Sequence, residues 1–211
     1  MKNEKSFQLN EDMAYFMGAL VGDGHISNST KSKTDLSKDY RINFELTTYQ
    51  LIKEIEKITK QFIQTKSTSK KTKKRQGKKQ SWRFQFRNKK FHTYLTEYIG
   101  LPKGSKTARL KVPNHINKSS DSIKKHFIAG LFDTDGGIRS KTIGFTMENQ
   151  RLQMGVSFLL SYFKIKHVNE SWLNKSYNKT YYGIKIKESK RFLYEFPLRN
   201  EIKLNHLLSL L

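Results

Sequence analysis

Two stretches of this chain are near copies: Phe16-Met17-Gly18-Ala19-Leu20-Val21-Gly22-Asp23-Gly24 and Ile128-Ala129-Gly130-Leu131-Phe132-Asp133-Thr134-Asp135-Gly136. Gly18 aligns with Gly130, Asp23 with Asp135 and Gly24 with Gly136 at one constant offset. Each copy is an apolar run that ends in an acid and a glycine. Such a run is buried in a folded protein, and a carboxylate at its end is costly unless something compensates it. The pattern leads to the expectation that the two acids meet and hold metal.

Local signals place both runs on helices. Asn10 is a natural N-cap, Glu11 and Asp12 suit the first turn, and Gly24 terminates. The run from Met13 to Val21 is apolar nearly all round, which marks a central helix. In the second copy, Asp121 or Ser122 is the expected cap. Gly18 and Gly22 lie four apart on one helix, as do Gly130 and Thr134 on the other, and small residues at that spacing let backbones approach closely. If the helices pack parallel, Asp23 and Asp135 coincide, repel each other and face two negative helix ends. A divalent cation removes both penalties. Oxygen-only ligands point to Mg²⁺ rather than zinc. Asp133 stands where the first copy has Val21 and reads as an interface or helix-end residue.

The composition says what such a helix pair serves. Among 211 residues, Lys and Arg number 41 against 18 Asp and Glu, a net charge of +23. Self-repulsion on that scale calls for a polyanionic partner, with nucleic acid first and an anionic membrane second. No apolar run approaches the length of a spanning helix. Met1 to Ser6 carry no apolar signal core, so the expected location is intracellular, a prokaryotic cytoplasm or an organelle matrix. The absence of cysteine excludes disulfides, thiolate zinc sites and cysteine nucleophiles. Aromatic residues at 12% exclude a disordered basic tail.

Along the chain, a short strand near His25–Ser27 and a polar loop precede Tyr40–Leu46, where Tyr40, Ile42, Phe44 and Leu46 alternate with Arg41, Asn43 and Glu45. Leu51, Ile52, Ile55, Ile58 and Phe62 fall at helical spacing. Residues 66–79 hold eight Lys or Arg and no acid, a basic hairpin loop between strand ends. Ser81–Arg87 alternates again, and a helix runs from Lys89 to about Tyr98. Two prolines and two glycines between Gly100 and Pro113 mark a linker. The second half repeats the order. A strand covers Ile138–Met147 and a helix Asn149–Phe163. A strand pair follows at about Lys166–Leu173 and Thr180–Lys187, then a helix near Ser189–Glu195 and a last one from Asn200. The expected division is 1–99, a linker at 100–121, and 122–211, a duplication and not a solenoid.

The paired stretches resemble the double signature of the LAGLIDADG homing endonucleases, with Ala-Gly-Leu-Phe-Asp-Thr-Asp-Gly-Gly close to the family pattern. Gly100-Leu101-Pro102-Lys103-Gly104-Ser105-Lys106 and Val112-Pro113 resemble the link of two-motif members. The resemblance implies an α+β fold: two pseudo-symmetric αββαββα halves packed through the motif helices at Gly18 and Gly130, with two antiparallel sheets forming a saddle over the DNA major groove. Asp23 and Asp135 would then bind Mg²⁺, joined by the carbonyls of Gly22 and Thr134, and activate water on opposite strands. Two or more ions shared between the acids fit two-metal logic. The implied enzyme is a free-standing, monomeric endonuclease that leaves staggered 3′ overhangs on a long asymmetric target.

Members usually place a basic or glutamine side chain beside each acid. The candidates here are Lys111 and Lys203, with Arg139 and Lys141 as rivals, while Leu46 or Thr47 stands where some relatives carry glutamine. Base and backbone contacts would come from Arg41, Asn43, Arg83, Gln85 and Arg87 in the first half and Arg139, Lys141, Lys185 and Lys187 in the second. The leading alternative keeps the fold without cleavage, as an intron RNA maturase bound to its own intron RNA or as a transcription regulator. An endonuclease domain from an intein is disfavoured by Met1 and Leu211 at the ends. A nuclease built on Glu188-Ser189-Lys190 rests on too common a tripeptide.

Overall fold

The computed structural model describes residues 7–27, 29–30, 38–73, 76–77, 79–105, 109–139 and 142–210. Helix α1 (Glu11–Gly22) starts on Asn10, whose side chain accepts the Met13 N–H at 2.8 Å. Every residue from Met13 to Gly22 is buried. Next come β1 (Gly24–Ile26), the short pair β2 (Ser29–Thr30) and β3 (Lys38–Asp39), β4 (Arg41–Leu46), α2 (Tyr49–Phe62), β5 (Ser67–Lys71), β6 (Trp82–Arg87) and α3 (Lys89–Thr93). The second half contains α4 (Asn114–Asn117), α5 (Asp121–Asp135), β7 (Gly136–Arg139), β8 (Thr142–Met147), α6 (Gln150–Tyr162), β9 (His167–Asn174), β10 (Lys179–Ile186), α7 (Ser189–Glu195) and α8 (Glu201–Ser209).

The two main sheets share one topology. The first has the order β1-β4-β6-β5 and the second β7-β8-β10-β9, each pair antiparallel. The period-2 pattern explains which face is inside: Ile42, Phe44, Leu46, Phe84 and Phe86 are buried, as are Ile143, Phe145, Ile184 and Ile186. Aromatic rings then tie each sheet to its motif helix. Phe16 meets Phe44 and Phe91, both at 5.4 Å between centroids. Phe132 meets Phe145 at 5.4 Å and Phe192 at 4.9 Å. Each such burial is worth about 1.5–3 kcal/mol. Among the described residues, no helix is long and apolar enough to cross a membrane.

Several local expectations are corrected. The segment expected as one strand, Ile138–Met147, is a hairpin of β7 and β8, because Gly136 and Gly137 begin pairing directly at the end of α5. Ser120, not Asp121 or Ser122, is the N-cap of α5, and the Ser122 hydroxyl instead donates to Glu11. The helix expected to Tyr98 is α-helical only to Thr93 and then widens into a π-helical turn, Tyr94–Tyr98, in which Ile99 N–H reaches the Tyr94 carbonyl. In the segment between the halves, Leu101, Leu110, Val112 and Ile116 are buried, and Gly104 N–H donates to Ile26 O at 2.8 Å. Lys187 lies one residue beyond β10.

Candidate functional site

The site begins with how closely α1 and α5 approach. A Cβ on Gly18 would overlap the Phe127 carbonyl oxygen, and one on Gly130 would overlap that of Tyr15. A Cβ on Gly22 would strike the Thr134 hydroxyl and lie 3.3 Å from the Asp135 carboxyl carbon. Contacts thus advance together along both helices, so the helices are parallel and their C-terminal ends abut. Asp23 is the C-cap of α1, its N–H donating to Ala19 O at 3.1 Å, and its side chain is exposed. Asp135 is the last residue of α5 and half-buried. Thr134 Oγ1 donates to the Gly130 and Leu131 carbonyls, which leaves its own backbone carbonyl, like that of Gly22, at a helix terminus.

The end of α5 carries an apparatus that the sequence alone did not reveal. Asp133 is 2% exposed, and its Oδ2 accepts from the Tyr15 hydroxyl, Arg199 N–H (2.7 Å) and Asn200 N–H (3.1 Å). Burial pushes its carboxyl above the usual carboxylate range, while these donors and Lys203 pull it down. Burial also raises the Tyr15 hydroxyl, with the Asp133 charge adding to it. Lys203, on α8, donates to three carbonyls at 2.8–2.9 Å: Phe132, Asp133 and Gly136. Its ammonium is pushed below the ordinary lysine range by burial, against the fields of Asp133, Asp23 and Asp135. Lys203 therefore neutralises the negative end of α5. Arg199 stacks over the Tyr15 ring at 4.5 Å and pairs with Asp12 (2.6 Å) and Glu54 (3.0 Å), joining the two halves.

The donor set is all oxygen: two carboxylates, one exposed and one half-buried, and the terminal carbonyls beside them. That chemistry fits a hard divalent ion, though only in part. Among the described residues, no group of three or more His, Cys, Asp or Glu is placed to hold metal. An ion here would take its remaining oxygens from water or from a bound phosphate.

The outward sheet positions are occupied as the alternation required, but several are already engaged. Arg41 (3.2 Å) and Arg87 (3.0 Å) both pair with the buried Asp39. Arg83 pairs with Glu45 at 2.6 Å. Asn43 and Gln85 stand directly opposite each other on β4 and β6, with Gln85 also opposite Thr68. In the second half Lys185 pairs with Glu170 at 3.0 Å, and Lys187 is exposed. Arg139 ends β7, whereas Lys141 lies outside the described residues. Lys111 is exposed between buried Leu110 and Val112; Leu110 lines a small space with Leu20, Val21 and Gly24 at the end of α1. The residues missed by sequence reasoning are Tyr15, Arg199 and Asn200. Only Asn200 had a local signal, as a helix cap.

A family model described as a LAGLIDADG-like domain matches residues 122–197. Among solved structures, I-DmoI in complex with DNA and Ca is similar with a TM-score of 0.70 and 19% identity, covering 96% of this chain and 100% of that one. The homing endonuclease I-WcaI bound to its DNA recognition sequence gives 0.62 and 18%, covering 97% and 94%. The N-terminal LAGLIDADG domain of DUF199/WhiA gives 0.59 and 12%, covering 99% and 91%. Over 99% of its length the chain is 26% identical to replication factor C small subunit from Methanocaldococcus jannaschii, of which the match spans 10%. The second half thus contains a LAGLIDADG-like domain, and the chain as a whole has the fold of these solved structures, with an acid-ended helix in each half.

Proposed function

We propose that the chain is a divalent-metal-dependent endonuclease that cuts both strands of a long, asymmetric DNA duplex and leaves staggered 3′ ends. One observation carries this reading: Asp23 and Asp135 end two parallel helices that abut at Gly22 and Thr134. The arrangement holds two carboxylates at the centre of a protein with net charge +23, each on its own side of the pseudo-dyad and so each facing a different strand. The polar sheet faces hold the duplex, and the terminal carbonyls of Gly22 and Thr134 complete the oxygen set. A bound Mg²⁺ would supply an activated water and charge stabilisation at the leaving oxygen. The similarity to structures described as complexes of I-DmoI with DNA and Mn, or with DNA and Ca, supports both a duplex partner and divalent ions. The partner is double-stranded DNA and the active form is a monomer, because one chain contains both acids.

The test starts from a pool of duplexes with a randomised window, retained on the full chain and then incubated with Mg²⁺. Wild type should cut both strands, and Asp23→Asn and Asp135→Asn should each leave a nick. Full double-strand cleavage by either variant, or by wild type in EDTA, would refute the assignment. A second reading, binding without cleavage, draws on Lys203: its ammonium, donating to the Phe132, Asp133 and Gly136 carbonyls, puts a positive charge at the end of α5 without any metal. It predicts tight retention of a duplex, or of a structured RNA such as the chain's own intron, that Mg²⁺ never converts to product.

A further inference from the structure

The two outward sheet faces are built from different chemistry. Register determines which side chains point away from the helices. On the first sheet these are the Arg, Asn and Gln positions of β4 and β6 described above. On the second, Asn169 donates to Ser157 of α6 at 3.0 Å, so its neighbours on β9 point the other way. That outward row contains Val168 and Trp172, and Tyr181 stands directly opposite Trp172 on β10. The two rings lie 6.1 Å apart with planes 17° from parallel. Trp172 is 36% and Val168 43% exposed. Beside them, Gly183 faces Thr146 and Lys185 faces Gly144, so each of these two cross-strand pairs has glycine on one strand. The cation among them, Lys185, is paired with Glu170.

An aromatic pair and a valine on the open side of a sheet gain nothing from packing on their own core, and a patch of that kind marks a contact surface. Glycines beside them allow the partner to approach the backbone. The major groove offers one apolar group, the C5-methyl of thymine, whereas purine edges need hydrogen-bonding side chains. Resting on the duplex-binding reading, we infer that the second sheet selects a thymine-rich half-site. Trp172, Tyr181 and Val168 are its specificity-determining residues, touching thymine methyl groups, while the first sheet reads purine edges through Asn43 and Gln85.

Duplexes enriched from the randomised pool by the full chain test this directly. The half-site belonging to the first sheet is the one whose selected sequence changes with Gln85→Ala. Deoxyuridine is then substituted for thymidine in one half-site at a time, which removes only the methyl. In the second half each contacted methyl should be worth about fourfold in Kd, against less than about twofold in the first. Trp172→Ala should lose about fourfold of the thymine-over-uracil discrimination, the share of one methyl, and Trp172→Phe should keep it. Equal uracil sensitivity in the two halves, or undiminished discrimination by Trp172→Ala, would overturn the inference alone. If no duplex is enriched, the duplex-binding reading falls and takes this inference with it.

Discussion

The ends of α1 and α5 began as copies and are now sealed in different ways. At α1 the position before the terminal pair is Val21, and the end is covered by Leu101 and Leu110 from the linker. At α5 the matching position is Asp133, and the end is covered by α8, which brings Lys203 to three carbonyls, and by the residues just before it, Arg199 and Asn200, whose backbone N–H groups meet the Asp133 carboxylate. One end is closed by apolar surface, the other by a buried polar network whose cost is met by hydrogen bonds. The motif therefore sets the geometry of the acids, while whatever chain follows each half sets their electrostatics.

That comparison can be strained at several points. The largest effect belongs to the acids, where single-turnover rates on end-labelled strands should fall on the order of a thousandfold on one strand for Asp23→Asn and on the other for Asp135→Asn. If both variants spare the same strand, the pseudo-dyad does not describe how the two acids divide the strands. Next come Gly18→Ala and Gly130→Ala, each forcing a methyl onto a carbonyl oxygen of the partner helix. Urea denaturation should show losses of about 3 kcal/mol for each, the upper end of overpacking, and clearly unequal losses would break the symmetry of the interface. Lys203→Met should cost about 2 kcal/mol through the unsatisfied carbonyls, with no first-half substitution at the end of α1 matching it. A loss below ~0.5 kcal/mol would mean water serves those carbonyls equally well.

The smallest effect is a slope with pH. His92 aligns with Leu193, since Phe91 and Phe192 hold equivalent places, yet His92 is buried with Nε2 against Ser27 O at 3.3 Å. Burial holds it below the ordinary histidine range, with Lys103 acting in the same direction and the Ser27 carbonyl, Asp39 and Glu97 opposing. The unfolded chain then takes up its proton first as pH falls. Stability should decline from about pH 6.5 downward and level off below the folded value. His92→Leu, borrowing the second half's solution, should flatten that part of the curve of unfolding midpoint against pH.

Much of this architecture was legible because it is written locally. The duplicated runs, the alternating strands and the caps at Asn10 and Asn200 depend on neighbours within a few residues. The hairpin of β7 and β8 was not, because no glycine, proline, asparagine or aspartate between Ile138 and Thr142 signals a turn. The environment of the acids was harder still. Asp133 meets Tyr15, Arg199 and Asn200, and Arg199 meets Asp12 and Glu54, all of them distant in sequence. A carboxylate inside an apolar run announces that it needs partners, but nothing in its own segment says which ones. Lys203 was a candidate companion of the acids from sequence, but its three carbonyl partners at the end of α5 were not legible until α8 was placed beside α5.

The all-round burial of α1 has a consequence for biosynthesis. From Met13 to Gly22 the helix has no solvent face, and a large part of its cover is α5, which is not made until residue 135. At about 5–20 residues per second, the ribosome needs on the order of ten seconds to supply that partner. Over that interval the nascent first half exposes an apolar helix face with nothing to pack on it. A chaperone that recognises such surfaces, or a pause in translation between the halves, would therefore change the yield of folded protein without altering a single residue of the finished chain.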